Sequence, residues 1–194
     1  NYLHRPRIRG DMATSKTGSF WLTENVQLAA LAANGSRAEG TIDLGSYVDV
    51  GDQQALAIEQ VDFIWQRDAD FGSNASSFLG GVGSLGMQLS DLNPGGVFVR
   101  ADDNNLIASG ALNVEIPAIG NAVGHSSDFY PDNFGKLDES RIVVNDQIYL
   151  VVGNDGFAVG TGIMYGTVRI KARIVKLSTK DWMAIAIQST ASDN

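Results

Sequence analysis

His125 stands beside Ser126, Ser127 and Asp128, the residue types of a nucleophile, a base and an orienting carboxylate. A catalytic triad is defined by spatial roles, and neighbours on an extended chain point to opposite sides, so this adjacency does not assemble one. His4 is the only other imidazole and the chain has no cysteine, which removes disulfide frameworks, thiolate nucleophiles and cysteine-ligated zinc. Gly81-Val82-Gly83-Ser84-Leu85-Gly86 matches the glycine spacing of a dinucleotide loop. The residues after it alternate like a strand and reach Pro94 without the helix whose N-terminus would hold a pyrophosphate. A flexible glycine loop is the expectation there. Val82 also occupies the place where a nucleophile elbow needs its first glycine.

Carboxylates are abundant, but no pair is singled out as the acid and base of a glycosidase. Asp68 with Asp70, and the run Asp102-Asp103-Asn104-Asn105, offer hard oxygen ligands for calcium. Neither has the spaced loop closed by a glutamate, and aspartate and asparagine favour turns for conformational reasons. Asp102 and Asp103 are kept as calcium candidates, with no cofactor expected otherwise. Arg9-Gly10-Asp11 matches an adhesion tripeptide, and Asn34-Gly35-Ser36 and Asn74-Ala75-Ser76 match glycosylation acceptors, patterns short enough to recur by chance. Trp21 and Trp182 could stack on sugars, whereas Trp65 sits in an apolar alternation that reads as core.

The elements that must carry these residues are strands. Leu106, Ala108, Gly110, Leu112, Val114 and Ile116 hold one face in unbroken alternation, and Ile142 with Val144, then Ile148, Leu150 and Val152, repeat it. Between Leu56 and Trp65 the apolar parity changes, which predicts a bulge near Glu59-Gln60. Leu85, Met87 and Leu89, the run Val97-Phe98-Val99, and Met183, Ile185 and Ile187 read as further short strands. Within Thr23 to Ala33, Leu28, Leu31 and the alanines suit a short helix ended by Asn34-Gly35, the favoured reading, while Val26 and Leu28 also fit an edge strand. Turn clusters such as Asn93-Pro94-Gly95-Gly96 and Gly153-Asn154-Asp155-Gly156 separate the strands. About eight short strands at this spacing predict an all-β antiparallel sandwich with at most one or two short helices.

The 194 residues carry a net charge of −8, unevenly spread. Residues 1–16 contribute +3, residues 17–168 contribute −14, residues 169–180 contribute +5 and the rest −2. The cations Arg5, Arg7, Arg9 and Lys16 form a basic arm, placed at residues 1–18 ahead of one domain at 19–194. Arg169, Lys171 and Arg173 alternate with Val168, Ile170, Ala172 and Ile174, which predicts a strand with an apolar inner face and a cationic outer one. These seven cations are the candidate contacts to nucleic acid or to neighbouring subunits. No apolar run approaches the roughly 20 residues of a membrane span, so a soluble body is expected. The start at Asn1 carries the expectation of processing or an unseen leader.

In this layout the chain resembles the viral single jelly-roll capsid proteins. The resemblance lies in the basic arm Asn1 to Lys16, in strand-rich sequence with long loops, and in the stretch Thr41-Ile42-Asp43-Leu44-Gly45-Ser46-Tyr47-Val48. It lies also in the closing run Val168 to Leu177, Ser178-Thr179-Lys180-Asp181-Trp182 and Met183 to Ile187. It implies a jelly-roll topology, a non-enzymatic coat subunit assembling as many identical copies in the virion, and viral nucleic acid or other coat proteins as partners. The arm departs from the pattern in carrying few cations, which puts direct genome binding in doubt. A secreted or cell-surface carbohydrate-binding or adhesion module is the competing reading of the same sandwich.

Overall fold

The computed structural model describes residues 14–71, 77–115, 124–131 and 141–191. Ten strands and one helix follow in chain order: β1 (Thr14–Ser15), β2 (Phe20–Leu28), β3 (Arg37–Asp43), β4 (Gln54–Arg67), β5 (Gly83–Ser90), β6 (Leu106–Glu115), β7 (Gly124–Tyr130), β8 (Arg141–Val143), β9 (Gln147–Asp155), β10 (Met164–Lys176) and α1 (Thr179–Ala191). The first sheet runs β2-β10-β4-β8, with β1 prolonging the β2 edge along β10. The second runs β3-β9-β5-β6-β7, and every pairing in both sheets is antiparallel.

The pairings nest. β2 pairs with β10, β3 with β9, β4 with β8 and β5 with β6, and these four pairs fall alternately in the first and second sheet. A two-stranded ribbon whose successive pairs alternate between two facing sheets is a rolled-up ribbon, the jelly-roll arrangement. The fold is an all-β antiparallel sandwich of this kind, as the alternation and the family resemblance led us to expect.

Period-two burial explains the strands. Leu85, Met87 and Leu89 of β5 face Ile170 of β10 and Leu56 and Ile58 of β4 across a solid interior in which all six are fully buried. The parity change in β4 is a bulge: Lys171 lies opposite Gln60 and Ala172 opposite Ile58, so Glu59 is the extra residue.

Three local expectations change. The helix expected within Thr23 to Ala33 is strand β2 up to Leu28, because Val26 and Leu28 alternate into the core while nine residues of β2 pair with β10. The strand expected at Met183 to Ile187 is helix α1 instead. Ser178 Oγ accepts the Asp181 N–H at 3.2 Å and Ser178 carbonyl accepts the Trp182 N–H at 2.9 Å, which caps a first turn. Helical spacing then puts Trp182, 6 % exposed, with Ile185 and Ala186 against the core, and leaves Met183 and Ile187 at 52 % and 60 % exposure. Val97-Phe98-Val99 is also not a strand. It lies across the outer face of β5, where the Gln88 amide donates to Val99 carbonyl at 2.9 Å and accepts the Val99 N–H at 2.8 Å.

Hydrogen bonds between loops close the two ends of the sandwich. At one end the Leu31 N–H reaches Gly160 carbonyl and the Gly160 N–H reaches Phe78 carbonyl. At the other, the Leu44 N–H bonds Asp146 carbonyl and the Leu177 N–H bonds Gln53 carbonyl, next to α1.

Candidate interaction surface

The outer face of β2, β10 and β4 carries the cations read from the sequence, and the structure divides them. Arg169 is exposed, with its guanidinium carbon 5.2 Å from the centre of the Trp21 ring. Trp21 itself is 44 % exposed, so one side of a large aromatic is offered to solvent beside a cation. Lys171 is half-buried directly opposite Trp21 on one side and Gln60 on the other. Asp62 lies opposite Arg169 and accepts the Gln60 amide through both oxygens at 3.0 and 3.1 Å. Two cations and one aromatic therefore remain available for an external partner.

Arg173 does not. The bulge at Glu59 turns that carboxylate, 6 % exposed, onto Arg173, and the two form an ion pair. Arg173 also donates to Ser19 Oγ at 3.1 Å, while the same hydroxyl donates to the other Glu59 oxygen at 3.1 Å. Its guanidinium thus stitches β10 to the bulge and to the segment joining β1 to β2. The Thr17 hydroxyl, which accepts the Ile174 N–H at 3.1 Å, and the Lys16 N–H, bonded to Ile174 carbonyl at 2.9 Å, hold the same segment down. Lys16 is exposed and places its ammonium on Gln54 Oε1 at 2.7 Å. Arg5, Arg7, Arg9 and the Arg9-Gly10-Asp11 tripeptide lie outside the described residues.

At the end of the sandwich beside α1, the aspartates Asp43, Asp49, Asp52 and Asp146 are all exposed. Asp43 and Asp49 each accept a backbone N–H two residues on, from Gly45 at 2.8 Å and Gly51 at 2.9 Å, which orders their turns. The molecule therefore has a cationic aromatic face and an end at which four exposed aspartates outnumber the exposed Lys176 and Lys180 beside α1. Charges of opposite sign on different surfaces of one chain favour contact between copies, with a reach of about 10 Å at ordinary salt.

The remaining motifs take structural places. Asp102 pairs with Arg100 at 3.3 Å on the surface, and Asp103 Oδ1 accepts the Asn105 N–H at 2.8 Å, so both serve the turn before β6. Among the described residues no group of three or more His, Asp or Glu side chains converges as metal ligands would. The glycine run is not a flexible loop but a set of close approaches. A Cβ on Gly81 would stand 2.7 Å from the Phe157 ring, on Gly83 would collide with Asp155 carbonyl, and on Gly86 would stand 2.9 Å from the Phe98 ring. The Phe98 ring lies in turn under the Arg37 guanidinium at 4.2 Å, and Arg37 pairs with Asp155 at 2.8 Å. Asn34 uses Oδ1 to accept the Gly156 N–H at 2.9 Å, and Asn74 lies outside the described residues. The backbone of His125 is in β7 opposite Val114.

Trp65, with Phe63 and Ile64 of β4, lines an apolar groove of about 240 Å³ against Gly110, Leu112 and Phe129. Phe63 and Phe129 stack there at 6.4 Å across the two sheets. Sequence reasoning missed Glu59 as a partner and missed a buried cluster at Asp91, Arg141 and Asn145. Glu59 had a signal, since it is the residue at which the apolar parity breaks.

No protein-family model matches the chain, and no curated protein matches it. Among solved structures it is similar to VP1 of Merkel cell polyomavirus in complex with GD1a oligosaccharide, at 8 % identity, covering 86 % of this chain and 100 % of that one with a TM-score of 0.38. It is likewise similar to VP1 of Trichodysplasia spinulosa-associated polyomavirus, solved with GM1 oligosaccharide (7 % identity, 87 % and 98 % covered, TM-score 0.38) and with 6'-sialyllactose (8 % identity, 86 % and 100 % covered, TM-score 0.39). At these TM-scores the strand pairing, rather than the likeness, is what defines the fold.

Proposed function

We propose that this chain is a coat subunit, a jelly-roll protein that assembles in many identical copies into a virus shell and has no catalytic role. The observation that carries the reading is the division of the surface: a sandwich whose interior is filled by side chains, with Trp21, Arg169 and Lys171 on one face and exposed aspartates at one end. The first is a cation-rich aromatic patch of the kind found at protein contacts, and the second is its electrostatic complement on the next copy. Repeated head-to-side contacts of this type close into rings or shells when symmetry permits, and many modest interfaces then add up.

Light scattering and electron microscopy of the purified chain across a salt series test this. Particles or ring-like oligomers that dissociate as salt rises are the expected result. Monomers at every salt concentration would overturn it. The combined variant Arg169→Glu and Lys171→Glu should lose assembly while keeping the folded monomer. Neighbouring coat proteins and viral nucleic acid are the partners proposed for Lys16 and the arm before it.

A second reading has its own observation. The exposed side of Trp21, flanked by Arg169, is a flat platform on which a sugar ring could stack. It makes the chain a carbohydrate-binding module instead. Binding on a glycan array that disappears in Trp21→Ala would favour it, and an array without binding would remove it.

A further inference from the structure

One buried carboxylate joins the two sheets at the acidic end of the sandwich. Asp91 follows β5 in the second sheet and is 2 % exposed. Its Oδ1 accepts the Asn145 amide at 2.7 Å, and its Oδ2 lies 3.6 Å from Nη2 of Arg141, which also donates to Asn104 carbonyl at 2.9 Å. The Asp91 N–H is bonded to Asn105 carbonyl at 2.8 Å, so its backbone stays with its own loop. Arg141 is the first residue of β8, a strand of three residues that, among the described residues, pairs with Leu56, Ala57 and Ile58 of β4 in the first sheet. Among the described residues the start of β8 is therefore held across the sandwich through Arg141, by the Asp91 carboxylate and the Asn104 carbonyl, of which only the first can take a proton, while Val143 at its far end is fully buried.

We propose that Asp91 is a proton-operated latch: when its carboxyl group takes a proton, the ion pair with Arg141 is lost and, with only the uncharged Asn104 carbonyl left to hold Arg141, the start of β8 opens from β4 more often, with Val143 as the fixed point and the rest of the sandwich unchanged. An ionised carboxylate balances the guanidinium charge and accepts at both oxygens, whereas the neutral acid keeps acceptor capacity but loses the charge. The Arg141 side chain is 31 % exposed, so water is its ready alternative. Burial raises the Asp91 pKa above the usual aspartate value, and the opposing pull of Asn145 and Arg141 does not cancel that cost. Arg141 is the charged group that faces it. Asp103 in the same loop turns to the Asn105 N–H, Asp102 pairs with Arg100, and Asp146, beside Asn145, is exposed.

The sign keeps the latch separate from unfolding. A carboxyl group whose pKa is raised by folding binds its proton more tightly in the native state, so its contribution to stability grows as pH falls through the raised value. Acid thus opens β8 locally while relieving the fold of a buried charge. The latch lies within one chain and does not depend on assembly.

Hydrogen exchange of the full chain at neutral and mildly acid pH, corrected for intrinsic rates, tests the proposal. Amides at 141–143 should lose at least about tenfold protection on acidification while β9 and β10 keep theirs. Asp91→Asn, which has the same shape without the charge, should show the low protection at both pH values, and Arg141→Gln should do the same. Equal β8 protection at the two pH values in the unaltered chain, or full neutral-pH protection in Arg141→Gln, would overturn it. Both readings stand even if Asp91→Asn does not fold.

Discussion

Reversing Arg173 should damage the fold, whereas reversing its neighbours Arg169 and Lys171 should damage only contacts between molecules. Sequence alternation puts all three on one outward face, but Glu59 is 6 % exposed and Arg173 23 % exposed, and they form an ion pair beside Ser19. Removing one partner of a buried pair costs about 3–5 kcal/mol, because the other charge is left desolvated. Arg173→Glu adds a repulsion of about 4 kcal/mol at 4 Å in a medium of intermediate dielectric. Partial exposure lets the new glutamate swing into water, which removes most of that second quantity, so we expect a net loss of about 3 kcal/mol. With a urea dependence of about 2–3 kcal/mol per molar, the unfolding midpoint should fall by about 1–1.5 M. The exchanged pair Glu59→Arg with Arg173→Glu should recover more than half of the loss. Arg169→Glu with Lys171→Glu, at more open positions, should stay within about 0.5 kcal/mol of the unaltered chain. A midpoint for Arg173→Glu within about 0.3 M of the unaltered protein would refute the reasoning, since the linear relation between midpoint and stability leaves no room for a desolvated Glu59.

Four further outcomes follow from the packing and the polar contacts. Gly110→Ala should cost about 1–3 kcal/mol, because the added Cβ would stand 2.7 Å from the Phe63 ring in the stack with Phe129, and thermal unfolding reads it directly. Trp182→Ala should cost about 3–5 kcal/mol and Ser178→Ala about 1 kcal/mol, with helical circular dichroism falling before the β signal in both, since the first unseats α1 from the core and the second removes its cap. The stability of the unaltered chain relative to Asp91→Asn should rise as pH falls through the raised Asp91 pKa toward the ordinary aspartate range, because the native state binds that proton more tightly; paired urea titrations at stepped pH that show the opposite slope would contradict the direction of the shift. Chelation of calcium should leave the melting temperature unchanged, because Asp103 is committed to the Asn105 N–H and Asp102 to Arg100; a lower melting temperature restored by added calcium would place an ion in that turn.

Much of the sandwich was legible from alternation alone. The runs at Leu106 to Val114, Ile148 to Val152 and Val168 to Ile174 are strands because period-two burial is a local property of the chain, and the parity break at Glu59 is a bulge for the same reason. Alternation misled where two periods fit one run. Met183, Ile185 and Ile187 satisfy a strand, but Ser178 and Asp181 cap a helix, and Trp182 needs the core that only a helix lets it share with Ile185. Leu28, Leu31 and the alanines suited a helix, yet the open edge of β10 gave Val26 and Leu28 the backbone partners and interior of the strand they also fit.

The surface was the least legible part. Arg169, Lys171 and Arg173 are equivalent by spacing, and composition marks all three as a cationic stripe. What separates them is a carboxylate 114 residues away in sequence, delivered by a bulge. Asp91, Arg141 and Asn145 likewise meet only because β5 and β8 belong to different sheets that face each other. By itself the sequence determined the alternation, the turns, the absence of thiol chemistry and the separation of charge along the chain, since each depends on neighbours within a few residues. Tertiary structure alone decided which charges are spent inside the molecule and which are left for partners, because desolvation and pairing depend on what distant strands place within a few ångströms.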